Sequence, residues 1–310
     1  MAKFYIVGGA TIDICGKSLN KLVLRDSNIA DIRLSIGGVG RNIASGLAAL
    51  KQEIQFVTCF AEDDFAQLIK EDFKKKGIHL DYSKSVPNEK SSMYLAILDD
   101  ENDMYIGMND MKVLEHLDYA MLDRVLQDIT EEDFLIIDSN LDEAHIQYMV
   151  ERCKGRIAAD PVSVAKAKKL SGVLKSLTFF KPNEYEATSF TNVVIKDEVS
   201  AKQSLQWFLD EGVKEVAISL AGRGVLLGTK ELKVWIHQRG IQLKNATGGG
   251  DAFMATYLAK RLEGYQEIDA ACYAIYAAVK TIEGTPLDMV ELNAELSEII
   301  SDMEIKILEL

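Results

Sequence analysis

Short runs of β-branched and aliphatic residues alternate along the chain with runs of helical spacing. Phe4–Val7 is an unbroken apolar segment that ends at Gly8-Gly9, the pattern of a strand buried on both faces. Ile54–Cys59, Phe134–Ile137, Arg156–Ala159, Leu177–Phe180 and Val216–Ser219 repeat that pattern. Between them, Asn42–Leu50, Asp64–Lys76, Asp142–Lys154 and Ser200–Glu211 read as helices, and Gly77 is placed to cap the second of these. The alternation predicts an α/β fold, with a mostly parallel sheet covered by helices on both faces.

Two stretches break the rhythm. Leu19–Ser35 and Ser91–Met108 read as extended, and the acidic segment Asp99–Asp103 joins two alternating strands as a hairpin would. Both flank glycine-rich segments, so a small β-sheet lid is expected from residues near 14–36 and 91–109. The run after Leu287 reads as a polar-faced helix. No linker, repeat or low-complexity tract divides residues 1–310, which predicts a single domain with a β insert.

Charge narrows the possible partners. A net charge of -13 repels nucleic-acid backbones and anionic membranes, so neither a nucleic-acid polymer nor a membrane is expected as partner. The four cysteines, Cys15, Cys59, Cys153 and Cys272, show no metal or redox spacing and read as reduced thiols. No signal-peptide pattern is visible, and no apolar run reaches the ~18 residues of a membrane span. A cytoplasmic location is the expectation.

The segment Thr247-Gly248-Gly249-Gly250-Asp251 leads into the helical run Met254–Leu262. Glycines let a ligand approach the backbone, and the first N–H groups of a helix are unpaired donors that favour an anion. A carboxylate at that mouth can deprotonate a hydroxyl that attacks a phosphoryl group. A flexible loop with Asp251 as a cap is the alternative reading. Lys181-Pro182-Asn183-Glu184-Tyr185-Glu186-Ala187 follows a strand, at the sheet edge where ligands bind. Asn183 and Glu186, three apart, can order water around Mg²⁺ or simply cap a helix. Ser219, Gly222 and Gly224 suit a nucleotide cradle, and equally a tight turn. Near the N-terminus, Asp13 follows Gly8-Gly9, and Gly38 and Asn42 lie in a glycine-rich turn before a helix. Asp13 and Asn42 are natural partners for sugar hydroxyls. Neither a P-loop nor a G-x-G-x-x-G pattern occurs.

Taken in order, these segments resemble the ribokinase-like (PfkB) family of sugar and nucleoside kinases, over essentially the whole chain. That resemblance implies a three-layer α/β/α sandwich with a β-sheet lid, and Mg-ATP as phosphoryl donor. Asp251 would be the catalytic base and the amides of Gly248, Gly249 and Gly250 the anion hole. Asn183, Ser219, Gly222, Gly224 and Gly248 would meet ATP, with Glu186 and Asn183 reaching the metal through water. A monovalent cation (K⁺) is implied near Asn245 and Thr281–Thr285. Gly249 stands where the family usually has Ala, and Ala221 where it often has Gly.

Within the family, Asp138-Ser139-Asn140-Leu141, Asp160-Pro161-Val162-Ser163 with Lys166, the Lys181–Ala187 segment and Gly107–Met111 resemble the pseudouridine-kinase branch. The implied reaction is phosphorylation of a ribonucleoside 5′-hydroxyl. Asp13, Gly38 and Asn42 would hold the ribose, with Thr11, Asn109 and Asn140 beside the base. Kinases of ribose, fructose, 2-keto-3-deoxygluconate, inosine or adenosine are the alternatives, and a non-catalytic sensor is a further one. A homodimer formed through the lid would cover its exposed strand edges.

Overall fold

The computed structural model describes residues 2–240, 248–285 and 296–308. Its N-terminal part runs β1 (Phe4–Val7), β2 (Thr11–Ser18), β3 (Ala30–Gly37), α1 (Val39–Ala49), β4 (Ile54–Val57), β5 (Cys59–Phe60), α2 (Asp64–Lys75), β6 (Lys84–Ser85), β7 (Met93–Leu98) and β8 (Met104–Asp110). The middle runs α3 (Tyr119–Asp128), β9 (Phe134–Asp138), α4 (Glu143–Arg152), β10 (Arg156–Asp160), α5 (Val164–Ala167), β11 (Phe179–Phe180), α6 (Glu184–Thr191) and α7 (Glu198–Asp210). Then come β12 (Glu215–Ser219), β13 (Val225–Thr229), β14 (Lys233–Gln238), α8 (Gly249–Leu262), α9 (Glu267–Ile282), α10 (Leu296–Ser301) and β15 (Met303–Ile307).

The central sheet has the order β15-β14-β13-β12-β11-β10-β9-β1-β4. From β4 to β12 its neighbours pair in parallel, as the buried apolar runs predict. Side chains alternate across a strand, so β1 feeds two cores. Phe4 and Ile6 join a cluster with Met254, Tyr257 and Cys272 on one face. Tyr5 and Val7 join a cluster with Leu122, Ile146 and Phe180 on the other. This gives the three-layer α/β/α architecture.

The C-terminal side departs from the expected pattern. Strands β12 to β15 pair antiparallel. Of the run beyond Leu287, the described residues hold a helix over Leu296–Ser301 and then a strand, Met303–Ile307, that pairs along β14. Its alternation, with Met303 buried and Glu304 exposed, is too short to outweigh the helical composition before it.

A second sheet, β3-β2-β7-β8, forms the lid. The hairpin through Asp99–Asp103 is present, with β7 and β8 antiparallel. The other stretch differs: Leu19–Ile29 is turn and irregular backbone, and the strand is Ala30–Gly37. Residues directly opposite in a sheet share a face. Register therefore places Ser35, Asp13, Tyr94 and Asn109 in one row on one face. Leu34, Ile14, Leu95 and Met108 form a row on the opposite face, beside a second row of Ile32, Gly16, Ile97 and Ile106. Asp63 ties the lid to the body. Its carboxylate caps α2 through Ala66 N and also accepts from Ser91 N and Oγ at the foot of β7. These donors hold its carboxyl below the usual range despite burial.

Candidate active site

The lid strands leave and re-enter the body at the C-terminal end of β1. Gly8 and Gly9 carry the chain out of β1 into the lid, and Gly38 returns it as the N-cap of α1. Gly38 has φ +98°, and a Cβ there would lie 2.5 Å from the Gly9 carbonyl oxygen. The N–H groups at this helix start meet protein acceptors. Gly40 N donates to Asp138 and Arg41 N donates to the Gly9 oxygen.

Asp138 and Asp160 end buried strands, at the sheet edge that faces ligands. Asp138 is fully buried and accepts from Gly9 N at 2.9 Å, Gly40 N at 3.0 Å and Asn140 N at 2.9 Å. It thereby joins three loops. A Cβ at Gly8 would lie 2.4 Å from its Oδ2, so a glycine is needed for this approach. Asp160 forms an ion pair with buried Lys181 at 3.4 Å. Burial opposes the charge on Lys181, but Asp160, Glu186 and Asp251 around it outweigh that and hold the ammonium above its usual value.

Gly248 is the N-cap of α8, with φ +83°. Gly249 and Gly250 open the helix, where the backbone N–H groups have no intrahelical acceptor. A Cβ on Gly249 would lie 2.8 Å from Ile282 Cγ2, which accounts for glycine at this position in this chain. A Cβ on Gly250 would lie 2.9 Å from Lys181 Nζ, so the ammonium sits against the first turn. Asp251 follows in that turn. Burial, then repulsion from Asp160, raises its carboxyl to about 7; the bond from Asn42 and the charge of Lys181 pull the other way. A carboxylate titrating near neutrality at a helix N-terminus is suited to take a proton from a hydroxyl.

The acceptor-side residues converge in part. Asn42 Nδ2 donates to Asp251 Oδ2 at 2.9 Å. Arg41 Nη1 donates to Asn42 Oδ1, which fixes which end of the amide faces Asp251. Thr11, 1% exposed, donates its hydroxyl to Asp13 at 2.6 Å. Thr11 therefore orients Asp13. Burial raises the Asp13 carboxyl, against the Thr11 bond and the Arg41 charge. Asn109 is exposed on the lid edge, two strands from Asp13 in the same row. Asn140 lies beside Gly9, with its Nδ2 3.1 Å from where a Gly9 Cβ would be.

On the nucleotide side, Asn183 and Glu186 form a reciprocal capping box. Glu186 N donates to Asn183 Oδ1 at 2.9 Å, and Asn183 N donates to Glu186 Oε2 at 2.8 Å. Burial, then Asp160, raises the Glu186 carboxyl to about 6. Ser219 lies beside Asn183 through a bridge between β12 and the start of α6. Gly222 is exposed and open, whereas Gly224 is buried at φ +90°, where a Cβ would lie 2.1 Å from the Ile236 oxygen. Packing on β14 therefore accounts for Gly224. Thr281 places its methyl near Gly248 and donates its hydroxyl to Ala277 O. Asn245 and Thr247 lie outside the described residues.

Sequence reasoning gave no role to Lys181, Asp160 or Asp138. A signal was present: each directly follows or closes a buried apolar strand run, at its C-terminal end.

Residues 1–286 match the pfkB family carbohydrate kinase profile. The chain is 29% identical over 252 residues to pseudouridine kinase of Escherichia coli, covering 81% of this chain and 80% of that protein. It is 23% identical to guanosine-inosine kinase of Exiguobacterium acetylicum, over 92% of this chain and 96% of that one. A solved structure from Clostridium perfringens, proposed to be a sugar kinase, superposes with a TM-score of 0.84 at 26% identity, covering 100% of this chain and 99% of that one.

Proposed function

Since this chain belongs to the pfkB family of carbohydrate kinases, and so transfers a phosphoryl group to a hydroxyl of a sugar or nucleoside, we propose that its acceptor is pseudouridine and its product pseudouridine 5′-phosphate. The observation that carries the chemistry is the position of Asp251, bonded to Asn42 and set in the glycine-opened first turn of α8 above Lys181.

In this reading, Asp251 takes the proton of the 5′-hydroxyl as its oxygen attacks. Asn42 keeps that carboxylate in place. The amides of the N-cap Gly248 and of Gly249 and Gly250, with the Lys181 ammonium beneath them, hold the negative charge that develops. Asp13, oriented by Thr11, accepts hydrogen bonds from the ribose hydroxyls. The lid face that carries Asp13, Tyr94 and Asn109 closes over the acceptor and keeps water from competing with it.

Mg-ATP supplies the phosphoryl group when bound. The residues present fit it: the glycine-opened start of α8 offers backbone N–H groups to phosphate oxygens, Ser219 a hydroxyl and Gly222 an open turn, and Glu186, with the carboxylate oxygen its capping box leaves over, would reach the metal through water beside Asn183. A monovalent cation beside the anion site, near Thr281–Thr285, belongs to the same proposal.

A homodimer through the lid is supported by its second face. Ile32, Leu34, Leu95, Ile106 and Met108 are all more than a third exposed there, an apolar surface that a second copy would cover. Sedimentation at micromolar concentration is expected to give twice the chain mass, and I32K/L34K to give one.

An ATP-coupled assay over pseudouridine, uridine, inosine, adenosine, ribose, fructose and 2-keto-3-deoxygluconate tests the acceptor. Pseudouridine is expected to give the highest kcat/KM. Turnover of a free sugar with pseudouridine inert would reject this acceptor and leave the kinase class standing.

A further inference from the structure

Arg41 stands one residue before Asn42 on α1, and its guanidinium is held from two sides. Its Nε and Nη2 both donate to Asp72 Oδ2, at 3.1 and 2.5 Å. Its Nη1 donates to Asn42 Oδ1 at 3.2 Å. Asp72 lies on α2, next to the face that packs Ala66, Ile69 and Phe73 into the same core as Ile43 and Leu47 of α1. The packing of the two helices thus brings together residues 31 positions apart. Both side chains are largely buried, 13% exposed for Arg41 and 16% for Asp72.

The second oxygen of Asp72, Oδ1, accepts from Lys76, one turn on at the end of α2. Burial opposes ionisation of Asp72, but the bonds from Lys76 and Arg41 outweigh it and hold the carboxyl below its usual range. Asp72 is therefore a constant negative charge over the pH range in which Asp251 titrates. A guanidinium is planar and presents its donors in a rigid fork, so fixing the edge of Nε and Nη2 also fixes the direction of Nη1. That direction decides how the Asn42 amide is turned. With its oxygen bound to Arg41, Asn42 points its Nδ2 at Asp251, and that bond favours the ionised carboxylate. Reversed, the amide would set its oxygen against a carboxylate oxygen. Without Asp72, the guanidinium has another carboxylate to turn to, because its charge already acts on Asp13.

We propose that Asp72 is a positioning residue of the phosphoryl transfer, acting through Arg41 and Asn42 to keep the donor end of the Asn42 amide on Asp251. This rests on the reading of Asp251 as the base and deepens it. The links Asp72–Arg41, Arg41–Asn42 and Asn42–Asp251 are all side-chain hydrogen bonds, so each can be removed singly.

The test uses the full chain with D72A, D72N, N42A and the double variant D72A/N42A. It follows kcat/KM against pH for pseudouridine, or for the best sugar of the coupled assay if pseudouridine is inert. Asp160, Asp138 and Lys181, which also face Asp251, are unchanged in all four. D72A should lower kcat/KM by about 10-fold, the lower end of what a hydrogen bond to a charged group supplies, and move the midpoint to higher pH, as N42A does. D72N keeps an oxygen for the guanidinium without the charge and should fall between D72A and wild type. The double variant should match N42A, since the bond that Asp72 supports is then already gone. Loss of the Asp72 charge by itself would ease ionisation of Asp251 and move the midpoint down, and loss of folded protein would leave it in place. An upward midpoint is therefore specific to a misplaced amide. A midpoint that is unchanged or lower in D72A overturns the proposal, and so does additivity of D72A and N42A. If D251N turns over at nearly the wild-type rate, this proposal and the base reading fall together. If D251N is inactive while D72A keeps the wild-type midpoint, this proposal falls alone.

Discussion

Asn42 and Asp251, 209 residues apart in sequence, meet through a hydrogen bond of 2.9 Å. The contact joins the first helix after the lid to the first turn of α8. In the proposed mechanism it makes Asn42 an orienting partner of the base Asp251. In this way the lid's attachment and the anion site are held in one geometry.

Asp251→Asn keeps the shape of the carboxylate and removes its basicity. Its kcat should fall by roughly 10²–10⁴, the usual contribution of a positioned general base. Calorimetric titration should still detect binding of acceptor and nucleotide. Near-normal turnover would remove Asp251 from the mechanism.

The pH profile follows from the position of Asp251 near 7. With ionised Asp251 as the proposed base, kcat/KM, which reports the free enzyme, should rise with pH through about 7 and level off above it. Asn42→Ala removes a bond that favours the ionised carboxylate, so the midpoint should move to higher pH as kcat falls. A midpoint that stays in place, or moves down, contradicts this account of the site.

The same titration has a sign in stability. Folding raises the Asp251 pKa above its unfolded value of about 3.9, so the folded state holds the proton more tightly. That contribution is fully present below the unfolded value and is lost as pH rises through about 7. Asp251→Asn removes the cost of the buried charge. The Tm of the variant should exceed that of wild type at pH 8, and the difference should narrow toward pH 4. An equal difference at both pH values would point to a packing effect instead.

Adjacent glycines at the lid exit should behave differently. A Cβ at Gly37 would lie 2.0 Å from Asp13 Oδ2, a side-chain atom that can move. Gly37→Ala should displace Asp13 and raise the acceptor KM, with little change in the KM for ATP. Gly38→Ala instead sets a Cβ against backbone at φ +98°. A sparsely populated positive-φ conformation costs about 1–3 kcal/mol, and the Gly9 carbonyl cannot move without its loop, so Tm should fall clearly. Parallel measurements of KM and Tm on the two variants check this.

Ala221 adopts φ +49° in the turn after β12. A left-handed conformation costs an L-residue about 1–2 kcal/mol, while glycine adds about 0.4–1 kcal/mol of unfolded-chain entropy. Ala221→Gly should therefore leave Tm unchanged or slightly raised, as thermal melts will show. A clear drop would mean that the methyl group has a packing role.

Much of the sheet was legible in the sequence because parallel strands buried on both faces read as unbroken apolar runs. Phe4–Val7 and Phe134–Ile137 are such runs, and they pair directly. The lid hairpin was legible through its acidic turn. The strand Met303–Ile307 was not, because five residues beside a helical segment carry too little periodicity to separate the two states. In the site, Asp251 and the glycines before it stood out locally. Asp138 and Lys181 did not, since their roles lie in contacts with residues remote in sequence, such as Gly9, Gly40 and Gly250. Thr11 shows the same limit. Its type suits a ligand contact, and only the geometry reveals that Asp13 already accepts its hydroxyl.

The single carboxylate of Asp138 fastens the exit from β1, the start of α1 and the turn after β9. Those three segments cannot drift independently: inserting a residue in one would pull its amide away from an oxygen the others still need. Divergence toward a new acceptor on this scaffold is thereby channelled into substitutions of side chains, with the lengths of the pocket loops left fixed.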